Sequence, residues 1–253
     1  MEYKGYSKDF SLTGRRVLIS GGAAGIGRAI AELYVEKGAR VALLDRSEGV
    51  HETAREIGGN TIAVQGDVTS AADVEACVEQ VVGVLGGIDT LVNNAGIVAL
   101  APAEELSEAD WDATMAVNLK GVFLLCQTVG RHMLEQGGGR IINMASQAAV
   151  VALDKHLAYC ASKAAVVSIT QTLASEWGPH NIRVNAISPT VALTELGQKA
   201  WAGEVGEQMK QKIPARRFVY PEEIAGCALY LASDAADMIN GANLVIDGGY
   251  SIQ

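Results

Sequence analysis

A tyrosine and a lysine four residues apart, Tyr159 and Lys163, have the clearest chemical potential in this sequence. At this spacing on a helix two side chains share one face, with their Cβ atoms about 5–6 Å apart. A tyrosine ordinarily titrates near pH ~10, and a fixed ammonium group beside it favours the phenolate. The pair is therefore predicted to act as an acid–base device, although ordinary helix surfaces also place Tyr and Lys at this spacing.

A glycine-rich turn follows the first short apolar run, Arg16–Ser20. Small residues allow a pyrophosphate to approach the backbone, and a following helix offers its N-terminal N–H groups. The G-x-x-x-G-x-G spacing differs from the commoner G-x-G-x-x-G fingerprint, and no Lys-Ser/Thr follows it as in a P-loop. Its place after the first strand favours nucleotide binding at Gly21, Gly25, Ile26 and Gly27 over a purely structural turn.

Two acidic residues end the next apolar runs. Asp45 can bond both hydroxyls of an adenosine ribose, and its charge repels a 2′-phosphate, so NAD is predicted rather than NADP. Arg46 follows directly and would point to the other side if the strand continued past Asp45. Asp67 and Val68 end the third run, where the adenine ring is expected.

Seven apolar runs alternate with helical patterns along the chain. The predicted strands are 16–20, 41–45, 61–65, 90–93, 140–144, 182–187 and 243–247, and the predicted helices are 26–37, 70–85, 108–135, 157–177 and 221–232. Near-continuous apolar runs between helices are typical of parallel strands covered on both faces. The fold class predicted is therefore α/β, a Rossmann-type, doubly wound, parallel seven-stranded sheet with helices on both faces.

We predict one domain over 1–253, with a cofactor half at about 14–145 and a catalytic and substrate half at about 146–253. Residues 191–212 interrupt the alternation after the sixth strand. They are interpreted as a lid over the active site, because ligands bind at the carboxyl ends of such strands. The alternative is a poorly ordered surface excursion. Candidate pocket residues in the lid are Leu196, Trp201 and Met209.

Composition excludes several classes of function. The formal charge of −9, from 20 Lys+Arg and 29 Asp+Glu, argues against nucleic acid as a partner. The four cysteines and four histidines are scattered, so neither a disulfide framework nor a metal site is predicted. The first twelve residues lack the apolar core of a signal peptide, and no apolar run approaches the ~20 residues of a membrane span. A cytoplasmic protein is expected.

Four features together resemble the short-chain dehydrogenase/reductase family over essentially the whole chain. They are the glycine turn at Gly21, Gly25 and Gly27, the Asn93-Asn94-Ala95-Gly96 run, Ser146, and Tyr159-x-x-x-Lys163. Ser146 precedes Tyr159 by 13 residues, the usual interval in that family. The resemblance adds Asn118, which would complete a catalytic tetrad with Ser146, Tyr159 and Lys163.

The resemblance implies a role for each member of the tetrad. Tyr159 is expected to take the proton from an alcohol while nicotinamide takes the hydride, and to act as the acid in reverse. Lys163 would stabilise the phenolate and hold the nicotinamide ribose, and Ser146 would bond the substrate oxygen. Asn118 would position a water that links Lys163 to solvent.

Further cofactor contacts are implied at Asn94 and Gly96, and at Val191 and Thr194 beside the nicotinamide carboxamide. The sequence departs from the family pattern in two places. Ser20 replaces the leading threonine of the turn and keeps its hydroxyl. Thr190 replaces a glycine after Pro189 and is therefore expected to constrain the pocket or the lid.

The second half resembles the polyol dehydrogenases of that family. The resemblance implies NAD-dependent, reversible oxidation of a secondary hydroxyl in a small polyol, such as D-threitol, to a ketose. Ser146, Gln147, His156, Tyr159 and Leu196 are the predicted substrate contacts, and Asp154 and Glu195 are further candidates or solvated loop residues. A homotetramer packed through helices 108–135 and 157–177 is also implied.

Three other functions are compatible with parts of the sequence. A hydrolase built on Ser146, Asp154 and His156 is rejected, because Ser146 lacks the G-x-S-x-G elbow. A non-catalytic NAD-binding regulator would not need an intact tetrad. A 3-oxoacyl thioester reductase is the leading enzymatic alternative; such enzymes typically prefer NADPH, which Asp45 disfavours.

Overall fold

A single seven-stranded parallel sheet forms the centre of the protein, in a computed structural model that describes residues 5–252, apart from the side chain of Leu196. The strand order is β3-β2-β1-β4-β5-β6-β7, and every neighbouring pair is parallel. The strands are β1 Arg16–Ser20, β2 Arg40–Asp45, β3 Ile62–Gln65, β4 Thr90–Asn93, β5 Gly139–Met144, β6 Ile182–Pro189 and β7 Asn243–Ile246. The predicted fold class is confirmed.

Helices cover both faces of this sheet. They are α1 Gly25–Glu36, α2 Val50–Ile57, α3 Ala71–Leu85, α4 Glu108–Met115, α5 Gly121–Gln136, α6 Leu157–Trp177, α7 Glu195–Ala200, α8 Glu204–Gln211 and α9 Pro221–Ala232. One core joins the sheet to α3, α5 and α6, and the other joins it to α1, α2 and α9. Strands buried on both sides explain the near-continuous apolar runs of the sequence.

The predicted helix over 108–135 is interrupted in its middle. A π-helical turn, Ala116–Lys120, separates α4 from α5 and contains the fully buried Asn118. Such turns often occur at functional sites. Within residues 5–252 the whole stretch, Glu108–Gln136, is long and apolar enough to resemble a membrane span, but half of its apolar window is buried inside the fold, as in the core helix of a globular domain.

Two short helices, α7 and α8, occupy the predicted lid. They pack on a small apolar cluster of their own, centred on Met209, Ile213 and Phe218 and separate from the two main cores. The Trp201 ring meets the Phe218 ring edge-on at 6.0 Å between centroids. This segment therefore packs around an apolar cluster of its own.

Candidate active site

The glycine turn between β1 and α1 can be formed only by residues without side chains at its closest contacts. Gly21 has a φ of +65°, and a Cβ on it would lie 2.8 Å from the Cα of Ala95. A Cβ on Gly27 would lie 2.1 Å from the backbone oxygen of Gly21. The turn therefore presents bare backbone at the carboxyl end of the sheet, as a pyrophosphate requires.

The turn is tied to the loop after β4 by two side chains. Asn94 Nδ2 donates to the backbone oxygen of Gly21 at 2.9 Å. The Ser20 hydroxyl accepts the N–H groups of Asn94 and Ala95 at 3.1 and 3.3 Å. Ser20 thus shows how a hydroxyl at this position joins the two loops.

A cavity of about 170 Å³ opens beside the turn. Its lining includes Gly21, Asp45, Arg46, Asp67, Val68 and Gly96. The Asp45 carboxylate accepts the N–H of Ala23 at 3.2 Å and that of Ser47 at 3.0 Å. Strand β2 ends at Asp45, so the alternation that would turn Arg46 away from the cavity does not apply. Arg46 is part of the cavity lining.

These residues fit a dinucleotide. Ala24, which precedes α1, has no side-chain cap, so the first N–H groups of the helix remain available to an anion. The Asp45 carboxylate lies in the same cavity as the bare backbone of Gly21 and Gly96. When bound, NAD would contribute a hydride acceptor and, in its oxidised form, a positive charge.

Tyr159 and Lys163 come together on α6 as their spacing predicts. Lys163 Nζ lies 5.6 Å from the centre of the Tyr159 ring. The lysine is 4% exposed, and its Nζ donates to the backbone oxygen of Met144, at the end of β5, at 2.7 Å. The sheet therefore fixes the ammonium group beside the phenol.

Burial, not charge, dominates the pKa values of this pair. Desolvation raises the pKa of Tyr159, and a hydrogen bond with Ser146 offsets only part of that rise. Burial lowers the pKa of Lys163 to about 8. The shift in the Tyr159 pKa is therefore opposite in direction to the one that a neighbouring ammonium group alone would produce, because spacing does not reveal how far the two groups are removed from water.

Asn118 fixes the loop that follows β4. Its Oδ1 accepts the N–H of Ile97 at 2.8 Å, and its Nδ2 donates to the Ile97 oxygen at 2.9 Å and to the Ser162 hydroxyl at 3.2 Å. A Cβ on Gly96 would lie 3.4 Å from Asn118 Oδ1 and 3.6 Å from Lys163 Nζ. Asn118, Gly96 and Lys163 are thus neighbours, although the amide of Asn118 is directed to Ile97 and Ser162.

The segment after β5 provides polar groups next to Ser146. Ser146 and Gln147 are both buried, and the Ser146 hydroxyl accepts the Ala148 N–H at 3.2 Å. Within residues 5–252, Gln147 Oε1 has no hydrogen-bond partner. His156 stacks edge-on to Tyr159 at 6.1 Å, and its Nδ1 lies 2.6 Å from the Asp154 backbone oxygen.

The remaining predicted contacts occur at the base of the lid. A Cβ on Gly25 would lie 3.1 Å from Thr194 Cγ2, and the Thr194 hydroxyl caps α7 by accepting the Gly197 N–H at 3.1 Å. Thr194 therefore adjoins the glycine turn, whereas Val191 packs on the lid cluster and Ile26 on the α1 core.

Two further residues of the lid, Glu195 and Leu196, are predicted near the substrate from the sequence. Glu195 is exposed and pairs with Lys199 at 2.6 Å, which indicates a solvated residue rather than a substrate contact. The side chain of Leu196 lies outside the described residues. Among residues 5–252 no group of three or more His, Cys, Asp or Glu side chains could hold a metal ion.

Comparison with known proteins agrees with this geometry. A family model described as enoyl-(acyl carrier protein) reductase matches residues 21–251. An NAD-dependent glycerol dehydrogenase of Listeria innocua is 58% identical over 254 residues, covering 100% of both chains. The chain belongs to the short-chain dehydrogenase/reductase family.

Two other relatives extend the comparison. A D-threitol dehydrogenase of Mycolicibacterium smegmatis is 58% identical over 249 residues, covering 97% of this chain and 96% of the relative. The crystal structure of a 3-ketoacyl-(acyl-carrier-protein) reductase from Brucella melitensis, complexed with NADH, has a TM-score of 0.91 at 36% identity. It covers 95% of this chain and 100% of its own. The family resemblance and the polyol dehydrogenase branch are thereby confirmed.

Sequence reasoning missed the helix α2 and with it Thr53, whose hydroxyl donates to the Ala23 oxygen of the glycine turn at 2.8 Å. The signal was weak but present. Val50, Ala54 and Ile57 recur at helical spacing over eight residues.

Proposed function

We propose that the protein is an NAD-dependent oxidoreductase that oxidises a secondary hydroxyl of a small polyol, such as glycerol, D-threitol or a related sugar alcohol, to a ketose, reversibly. The observation that carries the proposal is the Tyr159–Lys163 pair, in which a half-buried tyrosine meets a buried lysine, with Lys163 Nζ 5.6 Å from the centre of the phenol ring. Two relatives at 58% identity, named for glycerol and D-threitol, support the class of substrate. NAD is supported by Asp45 in the cavity beside the glycine turn.

In this proposal Tyr159 takes the proton of the substrate hydroxyl. Ser146, whose hydroxyl lowers the pKa of Tyr159 in part, donates to the same oxygen and fixes its position. Because burial raises the pKa of Tyr159, a positive charge nearby is needed for the phenol to lose its own proton and, as a phenolate, to take the substrate proton at neutral pH. Lys163 in its charged form supplies part of that charge.

Proton release to solvent is assigned to Lys163 and Asn118. Lys163, with a pKa of about 8, can exchange a proton near neutral pH. Asn118 lies in the π-helical turn and holds the Ile97 backbone beside Gly96. Its proposed role is to position a water that links Lys163 to solvent.

Two groups near Tyr159 suit the additional hydroxyls of a polyol. Gln147 Oε1, buried and without a partner among the described residues, can accept a hydroxyl proton. A carbonyl oxygen only accepts, so the 2.6 Å contact with Asp154 requires a proton on His156 Nδ1. The neutral imidazole then keeps Nε2 as a second acceptor. Leu196, whose side chain lies outside the described residues, is proposed as a further substrate contact on the basis of its place in the sequence.

The proposal is tested by following reduced cofactor with purified protein, NAD⁺ or NADP⁺, and a panel of three- to six-carbon polyols beside simple secondary alcohols. Turnover of a short polyol with NAD⁺ is expected. Turnover with NADP⁺ alone would contradict the role of Asp45. Binding of NAD⁺ without oxidation of any polyol would contradict the substrate class.

A substitution at Gln147 separates recognition of polyols from general folding. In Gln147→Leu we expect the KM for D-threitol to rise about tenfold, because one hydrogen bond to a substrate hydroxyl is lost. The KM for butan-2-ol, which has no second hydroxyl, should not rise. Gln147→Glu, which keeps an acceptor, is the matched control. Equal losses for both substrates in Gln147→Leu would show that Gln147 only packs the site.

Reduction of a 3-oxoacyl thioester is the second candidate, favoured by the likeness to the Brucella reductase. Asp45 does not separate the two candidates, because that reductase is itself complexed with NADH. The unpartnered oxygen of Gln147 favours the polyol, since it needs a hydrogen-bond donor, which the hydrocarbon chain of a 3-oxoacyl group lacks. A non-catalytic regulator would not need the Tyr159–Lys163 pair.

The proposal also includes the oligomeric state, the cellular location and the domain organisation. A homotetramer packed through α4, α5 and α6 is supported by the exposed Phe123, Leu134 and Leu157 on these helices. A cytoplasmic location is supported by Cys77, Cys126, Cys160 and Cys227, all free thiols. Residues 1–253 are proposed as one domain with a cofactor half at 14–145, a catalytic and substrate half at 146–253, and the lid at 191–212.

A further inference from the structure

The backbone of Ala23, in the middle of the glycine turn, is held from outside the turn by two side chains. The Thr53 hydroxyl donates to the Ala23 oxygen at 2.8 Å. Asp45 Oδ2 accepts the Ala23 N–H at 3.2 Å. Thr53 is 5% exposed, so its hydrogen bond is shielded from water.

The bond from Thr53 determines where the next N–H group points. In a trans peptide the N–H of Ala24 is directed opposite to the C=O of Ala23. Because that C=O faces Thr53 on α2, the N–H of Ala24 faces away from α2. Ala24 is extended, with φ −157° and ψ 175°, and immediately precedes α1 without a side-chain cap. It therefore stands at a helix N-terminus, where N–H groups bind phosphate.

The helix that carries Thr53 is itself anchored. Val50 and Ala54, on either side of Thr53, are buried in the core shared with α1 and α9. Arg28 of α1 pairs with Glu56 of α2 at 2.7 Å, although this pair is partly exposed and adds little stability. Burial of α2 thus keeps the Thr53 hydroxyl at a fixed distance from the turn.

We propose that Thr53 is a positioning residue of the diphosphate site: its hydroxyl fixes the Ala23 carbonyl so that the N–H of Ala24 is aimed at the diphosphate of NAD. The inference rests on the proposed function, which assigns the glycine turn to NAD. The competing interpretation is that Thr53 only packs α2 against the turn.

The test compares Thr53→Val, which keeps the shape and removes the hydroxyl, with Thr53→Ser, which keeps the hydroxyl. Dissociation constants for NAD⁺, NADH, ADP-ribose and adenosine are measured by titration calorimetry. Thr53→Val is expected to weaken the three diphosphate ligands by about three- to tenfold, as loss of one hydrogen bond implies. Adenosine binding should stay unchanged, and Thr53→Ser should retain wild-type binding of all four ligands.

Two results would overturn the inference. One is a lower Tm in Thr53→Val with unchanged Kd for ADP-ribose, which would make Thr53 a packing residue. The other is an equal loss for adenosine and ADP-ribose, which would place the effect at Asp45 instead. If Thr53→Val does not fold, Thr53→Ala is compared with Thr53→Ser in the same titrations. Failure of the wild-type protein to bind NAD⁺ would instead contradict the proposed function.

Discussion

Replacing Tyr159 with phenylalanine is expected to lower kcat for polyol oxidation by about 10²–10⁴-fold, the usual contribution of a positioned acid–base group. The change removes one oxygen and leaves the ring that stacks on His156 in place. The Kd of NAD⁺ and the Tm should therefore remain close to wild type. Steady-state rates with D-threitol and NAD⁺, beside direct cofactor titration, provide the comparison.

A matched control is Tyr6→Phe, which removes the same atom from a tyrosine that is 49% exposed. It should have no effect on kcat. A Tyr159→Phe enzyme with wild-type kcat would show that another group takes the substrate proton.

Replacing Lys163 with methionine is expected to produce the second large effect, a loss of kcat comparable to that of Tyr159→Phe together with weaker NAD⁺ binding. Methionine fills the buried volume without the ammonium group that lies beside Tyr159 and bonds Met144. The loss should persist at saturating NAD⁺, because the proton-transfer role remains absent when the cofactor site is full.

The burial of Lys163 also predicts how the free energy of unfolding changes with pH. The Lys163 pKa falls from 10.5 to about 8 on folding, so the unfolded chain binds more protons between these values. Stability then rises with pH across this window. The free energy of unfolding of the wild type, relative to Lys163→Met, should therefore increase by up to about 3 kcal/mol between neutral and alkaline pH. Urea unfolding of both proteins at several pH values measures it, and a constant difference would contradict the burial of a titrating lysine.

Much of the fold follows from sequence because its signals are local. Parallel strands buried on both faces leave continuous apolar runs, and the predicted ends of α6 and α9 agree with the structure. The helix α2 escaped prediction because it has eight residues and no side-chain cap. The π-helical turn at Asn118 escaped because the apolar spacing runs across it without a break.

In the site, too, some features depend on residues close in sequence and others on residues that are distant in sequence. Spacing brings Tyr159 and Lys163 together on one face of α6, but their burial depends on β5 and the loop after β4. The pKa of Tyr159 therefore differs in direction from the sequence prediction. Arg46 lines the cavity beside the glycine turn, because β2 ends at Asp45 and does not continue through Arg46.

The most direct test of the central claim is to incubate the wild-type protein with D-threitol and NAD⁺ and to identify the carbon product by NMR while NADH is counted by absorbance. The account predicts one ketose formed for each NADH, with both products formed at least about 100-fold more slowly in Tyr159→Phe. An aldose product, or NADH formation at the wild-type rate in Tyr159→Phe, would contradict oxidation of a secondary hydroxyl at this site.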